Sequence, residues 1–250
     1  MSVLNAERIK LTTTKSPLWC SLIAVVVSVG FAAIIGATYK AAESSGDNSF
    51  GEFSVSLTQA GAAQFGSMLV MIMAALAVTT EYRFGVIRTT FQAIPNRTQV
   101  IGGKALLLAV IAAVLGAVIS LASFLVAQAI SGVSLSMGDA DNARVLFGIP
   151  IYYALLAVLA VGVGTLIRQS AGAISLLLMW PLVIENLGTI IPKVGKYIVE
   201  FGPFNNVTYF LGAGNVDSFR WGPWGGLLYF AAFVAIVFGA SLFVVNKRDA

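Results

Sequence analysis

The chain has 250 residues, of which 58% are hydrophobic and only 10% are charged, and its formal net charge is +4. A soluble domain carries about 25% charged residues on a surface that must face water, so this composition excludes a soluble enzyme, a disordered regulator and a secreted disulfide scaffold. The chain contains no histidine, so the usual general base and the usual zinc ligand are absent. Its single cysteine, Cys20, cannot form an internal disulfide.

Six uncharged runs are each long enough to cross a membrane as a helix, which takes about 20 apolar residues. The runs are continuously apolar rather than alternating, which argues against the strands of a membrane barrel. The sequence therefore predicts an all-α integral membrane protein with one transmembrane domain over residues 1–250. The predicted spans cover residues 18–38, 59–80, 105–130, 147–167, 171–191 and 224–245.

The distribution of charge predicts which side of the membrane each loop occupies. If the N-terminus is cytoplasmic, ten of the fifteen Lys and Arg residues lie inside, together with three of the eleven acidic residues. Cytoplasmic loops of membrane proteins carry an excess of Lys and Arg. We therefore expect both termini to be cytoplasmic.

The segment before the first span, residues 1–17, is predicted to lie on the cytoplasmic membrane surface. Leu4 and Leu11 share one helical face, whereas Arg8 and Lys15 can meet lipid phosphates. A surface anchor is favoured here over a docking element.

The stretch EYRFGVIRTTFQAI, Glu81–Ile94, carries the clearest amphipathic pattern between the second and third spans. Its apolar residues recur at three- and four-residue spacing, while Arg88 and Gln92 project from another face and Pro95 ends the segment. Such a helix suits either a membrane surface or a groove on a protein partner. Docking to a cytoplasmic partner is the favoured interpretation. The apolar stripe consists of Phe84, Ile87, Phe91 and Ile94.

The last outer connection, residues 185–223, is too apolar for an ordinary loop, but each apolar piece is too short to cross the bilayer. Short re-entrant helices are predicted here, because broken backbone is tolerated at membrane depth where protein buries it. They would cap a central pathway, with Glu185, Pro192 and Phe204 as candidate residues of an outer gate. The alternative is a pair of interfacial helices anchored by aromatic side chains, without a gating role.

Residues that could perform catalysis are scarce. Gly102-Gly103-Lys104 lacks the first Gly and the Ser or Thr of a phosphate-binding loop, since Thr98 and Ala105 stand at those positions. Glu185 is the only candidate acid near a span, and it has no acidic partner. If the protein moves a substrate, its energy is therefore expected to come from another subunit.

The order of these features resembles the short, single-domain permeases of bacterial ABC-2 type transporters. The features are a basic N-terminal segment, six spans, the E-Y-R-F-G-V-I-R-T-T stretch, a re-entrant connection before the last span and a terminal K-R-D. The sharpest part of the resemblance is residues 81–104.

The resemblance implies that two permease subunits, identical or not, pair around a pathway in the bacterial cytoplasmic membrane. Each would dock on a cytoplasmic ATP-binding subunit, which would hold ATP and Mg²⁺, so that this chain binds no cofactor or metal and performs no catalysis. The segment after the second span would be the coupling helix, and an interfacial helix with Arg8, Lys10 and Lys15 would lie beside it. The residues expected to contact the ATPase are Glu81, Tyr82, Arg83, Gly85, Arg88, Thr89 and Thr90.

Three alternatives from other classes stay open on the sequence. A subunit of a secondary carrier would follow an ion gradient and ignore ATP, and a structural or immunity-type membrane protein would have no ATPase partner. An intramembrane enzyme would depend on Glu185 or on a polar span residue such as Gln128. Nucleic acid is not an expected partner, because Lys and Arg in a membrane protein mostly mark the loops on the cytoplasmic side. The uncharged spans suit a hydrophobic drug, a lipid or a peptide as substrate, and export is the usual direction in the resembling family.

Overall fold

A computed structural model describes residues 7, 10, 15–46, 52–187, 195–213 and 219–247, and the described residues are almost entirely helical. Six of the helical stretches are long and apolar enough to cross a membrane. For the described residues, the predicted all-α class is therefore confirmed, as is the prediction of six helices able to span a membrane. The helices are α1 (Lys15–Ser45), α2 (Val55–Thr58), α3 (Ser67–Arg83), α4 (Val86–Ala93), α5 (Arg97–Ser131), α6 (Ala140–Ile167), α7 (Ser170–Met179), α8 (Glu185–Leu187), α9 (Gly195–Phe201), α10 (Pro203–Phe210) and α11 (Pro223–Lys247).

Most spans are longer than the sequence predicted. The predicted start at residue 105, for example, marked the first uncharged residue, whereas α5 begins at Arg97 and carries Lys104 inside the helix. Asn96 caps α5 by accepting a hydrogen bond from the Gln99 amide at 3.1 Å. Counting uncharged residues thus located each helix but missed terminal turns that carry polar and charged residues. The fifth span ends at Leu187, and the predicted continuation to residue 191 lies outside the described residues.

Helix α6 forms the centre of the bundle. It packs against α5, α3 and α11, and most of its small and apolar side chains are buried. The other long helices expose rows of aliphatic side chains, as expected where the surrounding solvent is lipid. On α5 the exposed row consists of Leu106, Val110, Val114, Val118, Leu121 and Leu125.

A π-helical turn over Ala62–Gly66 precedes α3 and contacts the middle of the bundle. A turn of this kind leaves backbone groups displaced from the regular ladder. The buried Tyr153 hydroxyl of α6 donates a hydrogen bond to the Ala62 carbonyl at 2.8 Å. Gly66 lies directly against this contact, because a Cβ at that position would come within 1.9 Å of Tyr153 Oη.

Replacement of Gly66 tests this close approach. We expect Gly66→Ala to lower the free energy of unfolding by about 1–3 kcal/mol, since the added methyl group must displace the Tyr153 side chain. Thermal unfolding of the purified chain measures the change. Gly30→Ala is the matched control, because a Cβ there would meet nothing within 4 Å. Equal stability of the two variants would contradict the close packing at Gly66.

Candidate functional site

Helix α4 leaves the bundle at a turn that only its glycine permits without strain. Gly85 has a φ of +70°, in the left-handed region that favours glycine, and this turn separates α4 from the end of α3. The sequence predicted one uninterrupted helix over Glu81–Ile94, and the turn divides it. Phe84 is consequently 73% exposed instead of lying in the predicted apolar stripe. Of the other stripe residues, Ile87 is buried in the main core, and Phe91 packs against it.

The exposed face of α4 carries polar and cationic residues next to one another. Arg88, Thr89 and Gln92 are exposed, as is Arg83 at the end of α3. The Thr89 and Thr90 hydroxyls both donate to the Val86 carbonyl within the helix, at 2.8 and 3.0 Å. The helix is therefore held to the bundle by Ile87 and presents Arg88, Thr89 and Gln92 outward, beside the exposed Val86.

Glu81 and Tyr82 were expected to contact the ATPase, but they do not lie on the exposed face of α4. Glu81 is only 8% exposed. Tyr82 is half-buried, and its ring lies under the Arg168 guanidinium at 5.2 Å from the ring centroid. Both side chains therefore take part in contacts within the bundle and its loops, while Arg83, Gly85, Arg88 and Thr89 are exposed.

Four charged side chains meet beneath α4 in an arrangement that the sequence analysis missed. Lys104 Nζ donates to Glu81 Oε1 at 3.0 Å and to Glu7 Oε2. Lys10 Nζ donates to Glu7 Oε1 at 2.9 Å and to Glu81 Oε1 at 3.0 Å. We call Glu7, Lys10, Glu81 and Lys104 the ion cluster. It ties the N-terminal segment to α3 and α5.

Burial makes the ion cluster different from a surface salt bridge. The side chains of Lys104 and Glu7 are each 2% exposed, and that of Glu81 is 10% exposed. Removing charges from water is costly, so two acids and two bases must compensate one another there. Burial disfavours the charge of Lys10, but its hydrogen bond to Glu7 and the charge of Glu81 outweigh burial and raise the pKa of Lys10.

A usable signal for the ion cluster was present in the sequence. Glu81 closes the second span and Lys104 opens the third, so the two opposite charges stand at similar membrane depth on consecutive helices.

Lys10 and the end of α11 lie at the same end of the bundle as α4. Lys10 Nζ is 3.4 Å from Thr90 Oγ1 of α4, and Asn246 Nδ2 donates to Thr98 Oγ1 at 2.9 Å. Arg97 Nη1 also donates to the Val245 carbonyl at 3.0 Å. Of the predicted interfacial residues, Arg8 and the Lys15 side chain lie outside the described residues. Lys10 joins the ion cluster.

Glu185 occupies a buried site at the opposite end. It is 3% exposed, and its carboxylate accepts hydrogen bonds from Trp180 Nε1 at 3.0 Å and from the Phe204 and Asn205 amides at 3.0 and 2.6 Å. The two amides belong to the first turn of α10, where a carboxylate satisfies otherwise unpaired N–H groups. Two of the three predicted gate residues, Glu185 and Phe204, are thus in contact, and Pro192 lies outside the described residues.

Glu185→Gln tests this anchoring role. We expect the free energy of unfolding to fall by about 1–3 kcal/mol, because the neutral amide loses charge-assisted bonds and turns an N–H toward backbone donors. Thermal unfolding of the purified chain measures the change. Glu43→Gln, on an exposed side chain at the end of α1, is the control. A loss no greater than in the control would contradict the anchoring role.

Comparison with protein-family models matches residues 3–188 to the model described as ABC-2 family transporter protein. The matched range includes the ion cluster, α4 and the first five spans. No curated protein matches the chain.

Proposed function

Because the chain belongs to the ABC-2 family of transporter proteins, we propose that it is the permease subunit of an ATP-driven exporter. Family membership and the six apolar helices make the chain a multi-pass membrane component of an ABC-type transporter. The proposal adds the site of docking, the direction of transport and the class of substrate.

The observation that carries the proposal is the exposed basic face of α4 on a helix that is fixed to the bundle core. Arg83, Arg88 and Thr89 are exposed and Ile87 is buried, which is the arrangement of a docking helix with one face free for a partner. We therefore propose that this surface docks on the ATPase subunit, on the cytoplasmic side.

The ion cluster supplies the mechanical connection in this proposal. Thr90 of α4 lies beside Lys10, and Lys10 shares Glu81 and Glu7 with the buried Lys104. Movement of α4 on nucleotide binding would therefore be transmitted to α3 and α5 together. Closure of paired ATPases would then shift the permease halves between inward-facing and outward-facing states.

The spans suit a hydrophobic or amphipathic substrate, such as a drug, a lipid or a peptide. Within the described residues, the buried charged side chains belong to the ion cluster at one end and to Glu185 at the other. Glu185 and Phe204 join the end of the fifth span to α10, and we propose that this contact, with Pro192, forms the outer gate.

The complete transporter would contain two permease subunits and two ATPase subunits in a bacterial cytoplasmic membrane. ATP and Mg²⁺ would be bound by the ATPase subunits. The pairing of two permeases, identical or not, is part of the proposal.

Purification of the chain from its native membrane tests the proposal. We expect a soluble ATPase to co-purify in stoichiometric amount under mild detergents, since the docking face of α4 is exposed. Mass spectrometry identifies the partner, and nucleotide hydrolysis by the purified complex confirms its activity. Absence of such a partner under several mild detergents would contradict the proposal and favour a self-sufficient carrier.

A further inference from the structure

A cleft of about 320 Å³ opens beside the ion cluster at the α4 end of the bundle. Its walls are apolar and come from α3, from the start of α1 and from the turn before α4. Its polar end consists of three members of the ion cluster. The described residues that line it include Lys10, Met73, Leu76, Ala77, Glu81, Phe84 and Lys104.

The polar end of the cleft has hydrogen-bonding capacity that the ion cluster does not use. Glu81 Oε1 accepts from both lysines, whereas Glu81 Oε2 is buried without a hydrogen-bond partner in the described part of the chain. Lys104 Nζ makes two hydrogen bonds, and an ammonium group can donate three. An acceptor and a donor are therefore present together, and a single hydroxyl or amide group can satisfy both.

The charge balance favours a ligand without net charge. Glu7 and Glu81 match Lys10 and Lys104 one for one, so the charges of these four described side chains sum to zero. A carboxylate or an ammonium head group would add a charge to this buried neutral set without compensation. A neutral polar head group avoids that penalty.

We propose that this cleft binds a single-chain amphiphile from the bilayer whose head group is a neutral hydroxyl or amide. The head group lies against Glu81 Oε2 and Lys104 Nζ, and the chain packs on Met73, Leu76 and Phe84. The volume is at the lower end of the range of small-molecule sites, which suits one head group and part of one acyl chain. The site goes beyond the proposed transport function, because occupancy requires neither an ATPase nor nucleotide.

Photo-labelling of the purified chain in phosphatidylcholine nanodiscs tests the proposal. The probe is a monoacylglycerol with a diazirine in its acyl chain, and the comparison probes are a fatty acid and an alkylamine with the same chain. We expect the monoacylglycerol to label residues 73–86, and excess monoolein to remove the label. The two charged probes should label this segment less.

Two variants that fill the cleft provide a further test. Leu76→Trp should lower labelling by roughly tenfold, since an indole in the cleft removes the contact surface for the chain. Leu106→Trp, on the exposed row of α5, is the matched control and should leave labelling unchanged. Ala77→Phe fills the cleft from the adjacent position and replaces Leu76→Trp if that variant does not fold.

Two results would overturn the proposal. One is labelling that spreads over the exposed apolar faces and does not respond to the filling variants, as expected if the cleft holds only water. The other is labelling of the cleft by a charged probe at least as strong as by the monoacylglycerol. Because the assay contains no ATPase subunit, its outcome is independent of the docking proposal.

Discussion

Replacement of Lys104 by methionine is expected to lower the free energy of unfolding by about 3–5 kcal/mol, because it leaves two buried carboxylates to share the single positive charge of Lys10. Lys104 Nζ contacts both Glu7 and Glu81, and its side chain is 2% exposed. Methionine keeps much of the side-chain volume, so the change reports on charge more than on packing. Thermal unfolding of the purified chain in detergent is the measurement.

Two comparisons make this experiment specific to the ion cluster. Lys40→Met removes a lysine that is exposed at the end of α1, and we expect a change within about 0.5 kcal/mol. Combining Lys104→Met with Glu81→Gln should restore part of the stability, because one uncompensated carboxylate is removed. A loss for Lys104→Met no larger than for Lys40→Met would show that the cluster does not hold the bundle together.

Reversal of charge at Arg88 is expected to reduce transport by about tenfold or more, because a charge at a docking surface governs association and register with the partner. Arg88 is exposed on α4, so Arg88→Glu should leave the stability of the bundle unchanged. The measurement is the affinity of the purified permease for its co-purified ATPase, together with transport and nucleotide hydrolysis by the reconstituted complex.

The control for Arg88 is Lys40→Glu, which reverses an exposed charge at the opposite end of the bundle. This variant should bind the ATPase and transport as the unaltered chain does. Normal transport by Arg88→Glu would contradict the proposed docking role of α4. Loss of folding instead of docking would appear as a lowered midpoint of thermal unfolding.

Several features were predictable because they depend on local composition. The number of spans could be predicted because a helix needs about 20 apolar residues to cross the hydrocarbon layer, and the sequence contains six uncharged runs of about that length. The amphipathic pattern also placed Ile87 and Arg88 on different faces of one helix, but it did not predict that the Ile87 face covers the bundle. The pattern could not predict the break at Gly85, since glycine is compatible with both a helix and a left-handed turn.

Only part of the candidate site could be predicted from the sequence. Arg88 and Thr89 were predicted on the exposed surface, and both lie there. Glu81 was grouped with them because the family resemblance implied it, although its carboxylate turns inward to Lys104. The hydrogen bonds between Glu185 and the amides of α10 were likewise not predicted, because Phe204 and Asn205 lie 19 and 20 residues after Glu185 in the chain.

The sequence by itself thus determined the solvent, the helical class and the separation of an apolar face from a polar face on α4. All three follow from the order of apolar and charged residues along the chain. Only the tertiary structure decided that Glu7, Lys10, Glu81 and Lys104 share one buried site and that a cleft opens beside them. The reason is physical: hydrophobic periodicity specifies which face of a helix is buried, but not which partner helix covers it. A charge near the end of a span can therefore face lipid phosphates, water or an opposite charge, and packing selects among these three environments.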